Sequence, residues 1–235
     1  MIIIINKSKL FLLISIILLS LVFGSYQIYM IQNSKEKHVI SNPAEYMILV
    51  QIDEKTLYLF EDGKCIKQYL IASGHSNWPS PLGNWKIVNK SKWGEGFGGR
   101  WMGLNVPWGE YGIHGTTDQS SIGRAVSHGC IRMFNEDIKE LYDIIPIGTH
   151  VLIKNGTFGP FGTGFRNLIP GDRGADVLAV QQRLKQLGYF TGYESGIYED
   201  DLKKALIKFL KDNNLKIDTT ITRSVYDAMG LKEFE

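Results

Sequence analysis

A mainly β domain followed by a small helical bundle is what this chain predicts, and three observations carry the prediction. From Tyr46 to Val88, short runs rich in β-branched and aromatic residues alternate with turn signals at close intervals. Beyond residue 167 the apolar residues recur at three and four positions, the spacing of an amphipathic helix. Between these regions, residues 155–167 (NGTFGPFGTGFRN) hold four glycines and a proline with no apolar period. An apolar N-terminal stretch adds an expected transmembrane helix.

The strands come first. Met47–Ile52 and Thr56–Phe60 flank the turn Asp53-Glu54-Lys55, and Glu61–Lys64 turns the chain into the run Cys65–Ala72. Strands this close together leave no room for crossover helices, so a sandwich or barrel is expected rather than βαβ units. Trp85–Val88 reads as the next strand. Residues 89–112 read as a long loop, with Trp93, Phe97, Trp101 and Trp108 set among seven glycines. Those aromatics either plug the edge of the core or form a wall over a cleft, where aromatic faces beside glycine hinges suit a ligand. Asn135–Tyr142 predicts a short helix with Asn135 as its N-cap, and Gly148–Ile153 returns to an edge strand. His75 in a turn and His150 in that strand are read as structural.

In the C-terminal part, Val177, Val180, Leu184 and Leu187 share one helical face, and Gly188 serves as the stop signal. Leu202, Ala205, Leu206 and Phe209 repeat the pattern, and a shorter helix spans about Thr222 to Met229. Three helices in about 65 residues approach the lower limit for an independent core.

At the other end, Leu10 to Ser34 contains no charged residue, and Lys7 and Lys9 precede it. The expected organisation is therefore a cytoplasmic 1–9, a transmembrane anchor or signal peptide over 10–31 and a polar stem over 32–45. A catalytic domain over 46–155, a Gly-rich linker over 156–167 and a helical domain over 168–232 follow. Charge order favours a cytoplasmic N-terminus, and cleavage near Gly24 is the rival reading. Either way the remainder is exported. Net charge is +2 with no basic run interleaved with aromatics, so nucleic acid is not an expected partner. Hydrophobic residues at 44% and charged residues at 21% are ordinary globular usage. Two cysteines build no disulfide framework. Cys65, in its strand, is read as a small buried hydrophobe.

The chemistry concentrates in His114–Met133, HGTTDQSSIGRAVSHGCIRM. Cys130 follows Ser127-His128-Gly129, and His114 lies sixteen positions upstream with Gly115 next to it. A thiol must lose its proton to become a strong nucleophile, and a histidine alongside can take that proton. Glycines beside such a pair permit tight turns and leave amides open to an oxyanion. Read from the residues alone, a Gly-rich turn with an incidental cysteine and a zinc site of His114, His128 and Cys130 are alternatives. The latter offers three ligands but no fourth at the usual spacing.

His114-Gly115-Thr116, Ser121-Ile122-Gly123 and Ser127–Met133 resemble the signature of the L,D-transpeptidase (YkuD-type) catalytic domain of bacterial cell-wall enzymes. Ser80-Pro81-Leu82-Gly83-Asn84-Trp85 resembles a further element of that family, with serine where threonine is usual. The resemblance implies Cys130 as nucleophile, His114 as general base and the Gly115 carbonyl as the group that orients the imidazole. It also implies that Ser127, His128 and Gly129 shape the pocket, with the Gly129 and Cys130 amides as oxyanion hole. Arg132 is the expected carboxylate-binding residue, since its planar donor fork suits that task. Trp101 and Trp108 are the expected aromatic faces for substrate. Arg124 is read as a solvated surface residue.

Gly171-Asp172-Arg173-Gly174-Ala175-Asp176-Val177, with Gln181, Leu184, Gly188 and Tyr189, resembles the peptidoglycan-binding type 1 module. Glu199, Leu202, Leu210 and Thr219 depart from that pattern. The implied activity is acyl transfer through a cysteine thioester. It would release the terminal D-alanine of a stem tetrapeptide and form a 3→3 cross-link, with stem peptides as donor and acceptor. Water as acceptor would give an L,D-carboxypeptidase, and a non-catalytic wall-binding scaffold is the reading from another class. Carbapenems are expected to acylate Cys130, no cofactor or metal is implied, and the expected location is the bacterial cell envelope.

Overall fold

Runs of three to eleven residues produce nine strands among the described residues. The computed structural model describes residues 19–29, 45–92 and 94–232. It divides into two units, Met1–Ala44 and Glu45–Glu235. In the first, residues 19–29 are helical. Among the described residues no helix is long and apolar enough to cross a membrane. The expected 10–31 span extends into residues outside those described, as do residues 1–9 and the stem up to residue 44.

The second unit begins with β1 (Tyr46–Gln51), β2 (Thr56–Glu61), β3 (Lys64–Gly74) and β4 (Gly83–Ser91). It continues with β5 (Trp101–Leu104), β6 (Tyr111–Gly115), β7 (Ala125–Ser127), β8 (Ile131–Met133) and β9 (His150–Lys154). Hydrogen bonding orders them β2-β1-β9-β4-β5-β6-β8-β3-β7, and β2 also pairs with β3, so all strands but β7 close into a ring. Two long strands turn the corners. Thr56 faces Leu70 across the β2–β3 pair, and at Ile71 β3 passes to β8. Lys86 faces His150 across the β4–β9 pair, and at Ile87 β4 passes to β5. Strands that switch sheets in this way make the corners of a barrel-like sandwich.

Ile48, Val50, Leu57, Leu59, Ile71, Ile87, Met102, Ile113, Met133 and Val151 fill the interior with no exposed surface. Helix α1 (Asn135–Ile144) buries Ile138 and Leu141 and packs on β6. Tyr69 donates to Glu140 at 3.0 Å, and Lys67 pairs with the same carboxylate, tying α1 to β3.

Several local expectations change. Residues 89–112 are not one loop: they contain the end of β4, all of β5 and the start of β6. β5 was missed because glycines at Gly103 and Gly112 imitate a loop. Gly103 in fact clears the Asn89 amide and Gly112 clears Trp101. The N-cap of α1 is Phe134, and Asn135 is its first residue. β9 is an interior strand rather than an edge, antiparallel to β4 and parallel to β1. Cys65 is exposed rather than buried, because it sits next to the turn of the β2–β3 hairpin, opposite Phe60.

Helices α2 (Ala175–Gln186), α3 (Asp200–Asp212) and α4 (Arg223–Ala228) form the second core. Val177, Val180, Leu184, Leu202, Leu206, Leu210 and Tyr226 have no exposed surface there. Gly188 has φ +81°, as a helix stop requires, whereas Leu187 turns outward at 37% exposure. The buried Gln181 amide accepts from the Gly196 N–H at 2.7 Å and donates to the Ile197 carbonyl at 3.0 Å. It holds a turn where no helix or strand supplies partners. The expected linker is part of this lobe: Phe161 is buried, and Phe165 stacks on Tyr226 at 4.3 Å. Its aromatics at 158, 161 and 165 do recur at three and four positions, but the four glycines and the proline between and around them read as a linker.

Candidate active site

The site is a product of strand register. β6 pairs antiparallel with β5 and parallel with β8, setting Trp101 beside His114 and His114 beside Arg132. Side chains alternate across a strand, so these three form a row on one face. Their neighbours Met102, Ile113, Ile131 and Met133 point into the core, each at 1% exposure or less. Cys130 immediately precedes β8. The Gly112 amide, two residues before His114 on β6, lies close enough to the thiol to pull its pKa down.

His114 is held on several sides. Its Nδ1 lies 2.6 Å from the Gly115 carbonyl oxygen. A carbonyl only accepts, so Nδ1 carries the proton and donates, which leaves the Nε2 lone pair free. Trp101 stacks on the imidazole with centroids 5.7 Å apart, and Phe97 meets it edge-on at 4.9 Å. The ring is 6% exposed. Gly115 permits this packing: a Cβ there would lie 2.6 Å from Asn135 Oδ1 and 2.9 Å from both Gly98 Cα and Ile138 Cγ2.

The turn before the thiol is braced by Ser127. Its hydroxyl donates to the Cys130 carbonyl at 2.6 Å and accepts from the Gly129 amide at 3.0 Å. Gly129 has φ +116°, and a Cβ there would meet the Tyr111 ring at 2.6 Å. Only glycine fits. The Cys130 amide donates to nothing among the described residues.

Electrostatics keep the resting pair neutral. Burial pushes the Cys130 thiol above its ordinary value, against the smaller downward pulls of the Gly112 amide and the Arg132 charge. Burial also pulls His114 below the ordinary histidine value, opposed by the Gly115 hydrogen bond and assisted by Arg132. Both shifts have one physical cause: a desolvated group resists becoming charged. The arrangement is an oriented neutral imidazole on β6 and a thiol at the start of the adjoining β8, with a guanidinium whose field reaches both. Among the described residues no group of three His, Cys, Asp or Glu side chains is placed to hold a metal.

Sequence comparison divides the chain along the same two lobes. A profile of the YkuD L,D-transpeptidase catalytic domain matches residues 45–153. A peptidoglycan binding domain profile matches residues 173–229. The L,D-transpeptidase YkuD of Bacillus licheniformis is 45% identical over 117 residues, covering 48% of this chain and 70% of that protein. The Bacillus subtilis L,D-transpeptidase YqjB is 33% identical over 129 residues, covering 48% of this chain and 73% of that one. The chain belongs to the L,D-transpeptidase family. The solved catalytic domain of an Enterococcus faecium L,D-transpeptidase matches at 27% identity and a TM-score of 0.41, over 46% of this chain and 96% of that one.

Within this L,D-transpeptidase, the sequence-expected residues divide by place. Cys130, His114, Gly115, Ser127, Gly129 and Arg132 converge on β6, β8 and the turn between β7 and β8. Arg132 is half-buried and forms no ion pair with a carboxylate among the described residues. His128 is exposed and packs on Trp78 at 4.7 Å. Trp101 and Trp108 are only 7% and 6% exposed, so neither presents an open ring face. Trp101 serves His114. The Trp108 ring is committed to an edge-to-face contact with Trp85 at 5.2 Å and to Gly196 of the helical lobe, whose added Cβ would lie 2.3 Å away. The Gly129 amide, expected from the resemblance to serve an oxyanion, is engaged by Ser127. Sequence reasoning passed over Trp78 and Tyr111, read Phe97 only as one of the aromatics of the long loop, and took Asn135 for a helix cap.

Proposed function

We propose that this L,D-transpeptidase forms 3→3 cross-links in peptidoglycan through a Cys130 thioester. The observation that supports the reading most is the 2.6 Å contact between His114 Nδ1 and the Gly115 carbonyl oxygen, which aims the basic Nε2 away from the backbone. His114 Nε2 takes the thiol proton as Cys130 Sγ attacks the carbonyl of the third residue of a stem tetrapeptide. The Cys130 amide donates to the developing oxyanion, and the Gly129 amide joins it by releasing Ser127 Oγ. His114 then returns the proton to the departing D-alanine nitrogen as the C–N bond breaks. An acceptor amine attacks the thioester, gives its proton to His114, and the sulfur leaves.

A neutral carbonyl suffices as the orienting group. An imidazolium–thiolate pair already balances its own charge, so a carboxylate of the usual triad adds nothing needed. Arg132 binds a stem carboxylate through its two-pronged donor face. Trp101 holds the imidazole plane rather than touching substrate, and Trp108 holds the two lobes together. Carbapenems acylate the same sulfur. The helical lobe keeps the enzyme on the wall, and the chain works in the cell envelope, carried there by its apolar N-terminal segment.

The test is to incubate the chain with disaccharide-tetrapeptides and weigh the products, beside Cys130→Ala. Release of D-alanine with a cross-linked dimer, by the parent alone, is expected. Release without dimer would make it an L,D-carboxypeptidase, and no product from either protein would leave a wall-binding scaffold.

A further inference from the structure

The loop between β3 and β4 builds one wall of the entrance to Cys130, and its tip carries an indole. Gly74 and Ser80 clasp its base, the Gly74 amide donating to Ser80 Oγ at 2.9 Å. No side chain fits at Gly74, where a Cβ would lie 2.2 Å from the Trp78 carbonyl oxygen. The His75 amide donates to the Ser127 carbonyl at 2.9 Å, and the Trp78 amide donates to the His75 carbonyl at 2.9 Å. The loop is thus fastened to the same residue that braces the catalytic turn. The Pro79 carbonyl oxygen comes within 3.3 Å of where a Gly129 Cβ would stand. Trp78 and Pro79 therefore border His128 and Gly129, the two residues ahead of the nucleophile.

Within this clasped loop the Trp78 ring is not buried. It packs on His128 at 4.7 Å with planes 42° apart, yet remains 47% exposed. A large aromatic face fixed by a tight loop and left open to solvent has no packing role to explain it. It is preorganised for a ligand, because ordering it costs nothing at the moment of binding.

We infer that Trp78 is a specificity-determining contact for the side chain of the donor's third residue, a diamino acid, receiving its methylenes and terminal ammonium on the indole face. The inference rests on the donor assignment above. The residue whose carbonyl meets Cys130 Sγ projects its side chain beside the sulfur, where residues 78–79 form the border. A long apolar stem ending in a cation is the ligand class that an indole face accepts through dispersion and cation–π attraction. His128 buttresses the ring from the other side. The rings beside Trp78 are those of His75 and His128, and the Glu110 carboxylate, whose field reaches the Cys130 sulfur, is a second group that attracts an ammonium there.

The measurement is affinity, made in full-length Cys130→Ala so that it does not require turnover. The probes are a synthetic tetrapeptide ending in Lys–D-Ala and its twin ending in norleucine–D-Ala. With Trp78 present, the lysine peptide should bind more tightly than its twin. Trp78→Ala should weaken the lysine peptide about fivefold and bring the two to near equality, with Trp78→Phe in between. Equal affinities for the two probes with Trp78 present, or the same loss for both on its removal, would overturn the inference. Release of D-alanine from the lysine peptide by the parent chain reports separately on the proposed function. Iodoacetamide labelling of Cys130 in an otherwise unaltered Trp78→Ala chain should proceed at the parent rate. A slower rate would assign Trp78 to support of the catalytic turn and also overturn the inference.

Discussion

The barrel and the helical lobe reach similar burial by opposite routes. In the lobe, Val177, Val180 and Leu184 pack as near neighbours within α2, and the two longer helices repeat the device. In the barrel, the partners that matter are distant in sequence: Trp101 beside His114, and His114 beside Arg132. Local packing yields a robust, repetitive core. Long-range register yields a row of chemically different side chains in one place. Chemistry that needs a base, a thiol and a cation together belongs to the second kind of region, and the peptidoglycan binding match falls on the first.

The largest expected effect separates the lobes completely. His114→Gln should cut acyl transfer by about 10²–10⁴-fold, the range for losing a general base, while thermal unfolding stays near the parent. Single-turnover thioester formation followed by intact-protein mass checks it. A loss under tenfold would mean that the row on β5, β6 and β8 is not where the proton goes.

Gly115→Ala probes whether register alone suffices. The added methyl meets Asn135 Oδ1, Gly98 and Ile138 within 3 Å, so β6 or α1 must shift. A destabilisation of about 1–3 kcal/mol is expected from such overpacking. Displacing the histidine by a fraction of an ångström should also lower kcat/KM by about 10–100-fold. Denaturant melts and steady-state rates give both numbers.

Leu206→Ala tests the opposite region. Leu206 is fully buried in α3, and truncation there should cost about 2–5 kcal/mol. Binding to insoluble peptidoglycan should fall sharply while turnover of a soluble tetrapeptide stays within about twofold. An equal loss of both would show that the lobes act as one unit in catalysis.

The smallest effect is a shift of the pH profile. Because burial lowers the His114 pKa, the imidazole stays neutral to lower pH, and the acid limb of kcat/KM should have its midpoint below the ordinary histidine value of 6.5. Arg132 contributes to that lowering, so Arg132→Gln should move the limb upward whatever it does to the absolute rate. An unmoved limb would place the guanidinium too far from the base to matter.

Much of this was legible in the chain. Turn signals placed β1, β2 and most of β3, and helical periodicity placed α2 and α3 within a few residues, because those patterns are local. The motif around His114 and Cys130 pointed to the family through its resemblance to the L,D-transpeptidase signature, and the profile match bears that family out. The glycine-rich stretch misled for an equally physical reason. Gly103 and Gly112 are there for close approach of β4, β5 and β6, and a glycine chosen for tight packing looks the same in sequence as one chosen for a loop. Trp101 and Trp108 misled in the same way, since a side chain's address in the core is set by its partners.

The sequence by itself determined the residue types: a thiol, a histidine with a glycine behind it, a cation, and a helical module downstream. Only the tertiary structure decided their relations. It showed that Ser127 engages the Gly129 amide, that Trp101 and Phe97 clamp the imidazole, and that Trp78 stays open at the rim. The reason is that strand pairing joins residues far apart in the chain. No local pattern records which side of a strand meets which neighbour until the barrel has closed.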